Sequence, residues 1–98
     1  MIRCILNGAA IRDRRELHEA LAAGLELPEW YGGNLDGLYD CLTELPDRYL
    51  KVTGAAALTE SLGAYGQGFR NAVTAAAREN PGFFLEWDET EEPDEKAK

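Results

Sequence analysis

Asp36, Asp40 and Glu44 stand at i, i+4 and i+8 of one short segment, with three aromatic rings, Trp30, Tyr31 and Tyr39, in it and just ahead of it. Carboxylates so spaced share one face of a helix. They accept charge-assisted hydrogen bonds from Lys, His or Arg, and bidentate ones from Arg. Large, rigid rings beside them are the residue types that anchor the centres of protein interfaces. From Glu16 to Asp47 the chain carries eight acidic residues and not one Lys or Arg. Such one-sided charge repels itself and favours a cationic partner.

Other chemistries fit the residues less well. Asp36 and Asp40 could in principle act as a general acid and base. However, the chain has one histidine, and no phosphate loop, zinc-ligand spacing or nucleophile motif accompanies them. No catalytic residue, metal or cofactor is therefore expected, and the chain does not read as an enzyme. His18 reads as a packed or capping histidine. Cys4 and Cys41 have apolar neighbours and read as reduced, packed thiols. The acidic run from Asp88 to Glu95 lacks the spacing and glycine of a calcium loop, which leaves weak counterion association.

Composition bounds the partner. With 98 residues, a net charge of −8 and a pI of about 4.5, this is one small domain repelled by nucleic acid and by anionic membranes. Six of the 18 acids lie in the last eleven residues, but residues 1–87 remain acidic without them. The N-terminal apolar run is too short for a signal peptide, and nothing approaches the ~20 apolar residues of a membrane span. The expectation is a cytoplasmic protein with a domain over 1–87 and a disordered acidic tail over 88–98.

The elements that would carry the site follow from periodicity. Ile2, Cys4 and Leu6 alternate in a strand over 2–6 that stops at Asn7-Gly8. Asp13 caps a helix from about Arg14 to Ala23, with Glu16 completing a capping box and Gly24 near its end. Pro28 to Gly33 is a loop, and Asn34 caps a second helix whose stripe is Leu35, Leu38, Cys41, Leu42 and Leu45. Pro46 ends that helix. Tyr49–Val52 is strand two. Ala-rich helices over 55–61 and 65–78 follow, separated by Gly63, Gly66 and Gly68, and Asn80-Pro81-Gly82 turns into strand three, Phe83–Trp87. Strands alternating with helices give an α/β fold, a small three-stranded parallel sheet packed against about four helices.

The second helix is a poor choice for stability alone. Asp36 and Asp40 are like charges one turn apart, and an interior glycine, Gly37, costs ~1 kcal/mol relative to Ala. Asp36 recovers part of this from the helix dipole, and Asp40 recovers little. Local rules fail in this way at functional sites, and Gly37 would let a partner approach the helix closely.

The order and spacing of Ile5-Leu6-Asn7-Gly8, Ile11-Arg12, Leu17-His18, Leu21 and the run from Leu27 to Thr43 resemble the barstar family of intracellular ribonuclease inhibitors. The resemblance implies that the second helix and the loop before it plug the active site of a basic bacterial ribonuclease in a 1:1 complex. Asp40 would enter the phosphate pocket, with Asp36 beside it pairing with a basic residue. Trp30, Tyr31, Gly32, Asn34, Gly37, Tyr39 and Thr43 would surround them, with Glu44 continuing the acidic row. Departures are Trp30 and Tyr39, where the family commonly has Tyr and Trp, and Phe69-Arg70-Asn71, where the family pattern can supply a further acid. The alternative is an immunity or binding protein for a different basic toxin.

Overall fold

A computed structural model describes residues 1–88; the acidic stretch expected as a tail lies outside the described residues from position 89 onward. The chain runs β1 (Ile2–Asn7), a 3-10 turn (Gly8–Ala10), α1 (Arg14–Leu25), α2 (Leu35–Glu44), β2 (Arg48–Thr53), α3 (Ala55–Leu62), α4 (Ala64–Glu79) and β3 (Phe83–Trp87). The strands form one parallel sheet in the order β1-β2-β3, with Cys4 opposite Leu50 and Leu50 opposite Leu85. This is the expected barstar-like α/β architecture.

Alternation along the strands sorts the two faces of the sheet. Cys4, Leu6, Leu50, Val52 and Phe83 point into a core shared with Leu17, Leu21 and Leu25 of α1, Leu38 and Leu42 of α2, Leu58 of α3, and Phe69 and Val73 of α4. The other face carries Arg3, Ile5, Tyr49, Lys51, Phe84 and Glu86, of which Ile5 is 61% and Phe84 48% exposed. No helix of the described residues is long and apolar enough to cross a membrane.

The glycines of the helices are placed differently from the sequence expectation. Gly24 is near the end of α1 as expected but inside it, since the helix runs past Ala23 to Leu25 and terminates at Glu26 in the left-handed conformation. A Cβ on Gly24 would lie 2.4 Å from Cys4 Sγ, so its bare Cα is what lets α1 settle on β1. Of Gly63, Gly66 and Gly68, Gly63 alone separates α3 from α4. The other two lie inside α4, where Gly66 meets the backbone of Thr59 and Gly68 meets Leu35 of α2. Close helix packing, invisible to a local reading of glycine as a breaker, accounts for both. Asp88, read from sequence as the first tail residue, donates its N–H to Val52 O at 2.8 Å and accepts from Ala55 N at 3.1 Å.

Candidate functional site

α2 is held at both ends by asparagine side chains. At its start Asn34 adopts an extended backbone, and its Oδ1 accepts from Gly37 N at 2.7 Å, satisfying one of the helix's orphan donors. The space beside Gly37 is partly used by this cap, since a Cβ there would lie 3.2 Å from Asn34 Oδ1 and 3.7 Å from the Tyr31 ring. At the far end Asn80 Nδ2 donates to the carbonyls of Leu42 and Leu45, both at 2.8 Å, while its Oδ1 accepts from Gly82 N at 2.9 Å. Sequence reasoning placed Asn80 in a turn and missed this role, which depends on α4 delivering it beneath α2.

Burying Leu38, Cys41 and Leu42 turns the opposite side of α2 outward, with Asp36, Asp40 and Glu44 all exposed. None of the three makes an ion pair among the described residues; Arg12–Glu16 and Arg15–Glu19, which do pair, both involve α1. Asp36 and Asp40 line an open groove of about 620 Å³ together with Leu35 and Tyr39 of α2 and Gly68, Asn71 and Ala72 of α4. Glu44, two turns beyond Asp36, does not line it. Thr43 bends its hydroxyl back to the Asp40 carbonyl at 2.9 Å. Burial, followed by the charges of Asp40 and Glu44, pushes the Cys41 thiol up, which keeps it protonated beneath the acidic face.

The three rings diverge in their surroundings. Trp30 is 65% exposed, whereas Tyr31 and Tyr39 are half-buried and packed against the core. In the loop, Tyr31 N donates to Pro28 O at 3.0 Å, and Gly33 takes φ 74°, a conformation glycine adopts without steric cost. Gly32 and Asn34 are exposed. His18 is 5% exposed, and its two ring nitrogens face the hydroxyls of Tyr31 and Tyr65. Burial drives the His18 pKa down and those of both tyrosines up, so all three are neutral near pH 7. Tyr65 and Arg48 also escaped the sequence reading. Arg48 Nε donates to Leu25 O at 2.7 Å and fixes the end of α1 where the loop begins. Among the described residues, no group of three or more His, Cys, Asp or Glu is placed to hold a metal ion.

The arrangement thus offers carboxylates unpaired among the described residues and a protruding indole, suited to meeting cations. The model of the family described as Barstar (barnase inhibitor) matches residues 1–93. The chain belongs to the barstar family. It is also similar to the "Putative ribonuclease inhibitor YrdF" of Bacillus subtilis (strain 168), 42% identical over 43 residues, which are 44% of this chain and 47% of that protein. The match thus spans about half the length of that relative. Within the family frame, α2 and its preceding loop are the elements on which the acidic and aromatic residues converge.

Proposed function

We propose that this chain is a cytoplasmic inhibitor of a basic bacterial ribonuclease, forming a 1:1 complex in which α2 and the Pro28–Gly33 loop block the active site. The observation that carries the reading is the exposure of Asp36 and Asp40, unpaired among the described residues, along one groove. A ribonuclease must hold RNA phosphate with Arg, Lys and His, and a carboxylate accepts the same charge-assisted hydrogen bonds. Asp40 enters the phosphate-binding site and Asp36 pairs with a flanking cation. Trp30, Tyr31, Gly32, Asn34, Gly37, Tyr39, Thr43 and Glu44 form the surrounding contact surface. The family's description and the relative's name support the same reading.

RNA cleavage by barnase should be abolished at equimolar inhibitor. Asp40→Ala should weaken inhibition on the order of 10²- to nearly 10⁴-fold, the consequence of leaving a buried cation without its partner at a cost of about 3–5 kcal/mol. Parental inhibition by Asp40→Ala would show the assigned role to be wrong. Asn71, lining the groove where the family pattern can supply an acid, favours a second reading in which the target is a different basic toxin. Affinity capture with the parent chain and with an Asp36→Asn, Asp40→Asn double variant separates the two, because the protein held only by the parent is the target.

A further inference from the structure

We infer that Tyr65, His18 and Tyr31 form a hydrogen-bonded relay that locks the Pro28–Gly33 loop to α1 and α4, making His18 and Tyr65 positioning residues for the binding surface. The inference rests on the inhibitor reading for its functional half, while the relay itself is a property of the free protein.

His18 sits on α1 with Nδ1 at the Tyr31 hydroxyl and Nε2 at the Tyr65 hydroxyl, the latter at 2.6 Å. The three rings meet at angles, with centroids 5.8 Å apart for His18–Tyr31 and 5.9 Å for His18–Tyr65. Neutral imidazole has one N–H and one bare nitrogen, so one tyrosine must donate to it and the other must accept. Fixing the role of either hydroxyl fixes the tautomer, and with it the role of the other. Tyr65 is oriented in turn by Arg14, whose guanidinium lies 4.5 Å from the ring centroid. Two tyrosines 13 and 47 positions from His18, which do not hydrogen-bond each other, are in this way coupled through one buried ring.

The loop needs such an anchor. Among the described residues, the Tyr31 hydroxyl makes the one side-chain hydrogen bond from residues 28–33 to the rest of the molecule. Gly32 and Gly33 follow immediately, and chain freedom there would otherwise be lost on binding at the expense of affinity. Tyr31 is rooted so that its neighbours, the exposed Trp30 and the Gly32 backbone, are presented in one arrangement.

The test uses Tyr65→Phe, which deletes one hydroxyl and keeps the ring, with Tyr49→Phe as control. Tyr49 lies on the open face of the sheet, where its hydroxyl donates to Glu86. The ring nitrogens of His18, read by nitrogen-15 NMR, should report one tautomer in the parent and in Tyr49→Phe but a mixture in Tyr65→Phe. Amide exchange at Tyr31 should quicken about five- to tenfold in Tyr65→Phe, the effect of one lost hydrogen bond, beyond any change shared with the core strands. The inhibition constant against barnase, or against the captured target, should rise by a similar factor. An unchanged tautomer with unchanged Tyr31 exchange overturns the relay, and a loosened loop with parental inhibition overturns its positioning role. If the parent chain inhibits neither enzyme, the inhibitor reading fails, while the tautomer and exchange data still decide whether the relay exists.

Discussion

Replacing Asn80 by Ala should unfasten α2 from below without touching its acidic face. The amide side chain makes three hydrogen bonds of 2.8–2.9 Å, two to the carbonyls at the end of α2 and one from Gly82 N. At about 0.5–1.5 kcal/mol net for each, and with water replacing part of what is lost at a half-buried site, the loss comes to about 2–3 kcal/mol. That is a large part of the 5–15 kcal/mol typical of a domain, and for a chain of this size it lowers Tm by roughly 8–24 °C. Urea titration followed by far-UV circular dichroism measures it directly, with the slope of the transition kept as a check that the unfolded state is unchanged. Asn80→Asp sharpens the test. It retains the acceptor for Gly82 but turns a carboxylate toward two carbonyl oxygens at the negative end of a helix, so it should be no more stable than Asn80→Ala. Parental stability in Asn80→Asp would refute the claim that the two donors hold α2.

Gly24→Ala should cost about 1–3 kcal/mol, because its Cβ would meet Cys4 Sγ at 2.4 Å; adding Cys4→Ala should recover much of that loss, a non-additivity that a double-mutant cycle of urea midpoints reads. Folding stability should fall as pH drops below about 6.5. Burial holds the folded His18 pKa beneath its unfolded value, so the unfolded chain takes up the proton first; this contribution is intact above the unfolded pKa and disappears as pH falls through the folded one. The groups facing His18 are the Tyr31 and Tyr65 hydroxyls, with Arg14, Arg15 and Glu19 lining the adjoining pocket. His18→Gln should flatten the slope between pH 5 and 6.5 in denaturant titrations. Association with the ribonuclease should slow with added salt while dissociation changes little, as stopped-flow fluorescence of Trp30 can show.

What the sequence made legible was local. Asp13 and Asn34 cap the helices they were expected to cap, because a capping side chain needs only the next three residues, and the alternation read in β1 matches its buried Cys4 and Leu6. The acidic row was equally plain, since i, i+4 spacing on a helix with a known apolar stripe fixes which side faces outward. Longer-range relations were hidden. Gly66 and Gly68 read as breakers, and Gly24 as no more than a mark near a helix end, because nothing local shows what presses on them. The capping box is completed only in part, for the Glu16 carboxylate accepts from Arg12 N and not from Asp13 N. Tyr31 read as an open ring beside charges, but its hydroxyl turns inward to a histidine that only the fold brings near.

Parallel sheets are usually covered on both sides, whereas among the described residues this one is covered on one side. Its bare side forms two registered rows, Arg3–Tyr49–Phe84 and Ile5–Lys51–Glu86, with the Arg3 guanidinium 5.6 Å from the Tyr49 ring centroid. Because α2 packs on the opposite side, the molecule has a back that can be altered independently of its front. Lys51 is thus a natural attachment point for a surface or a dye, leaving the acidic helix free to meet the proposed target.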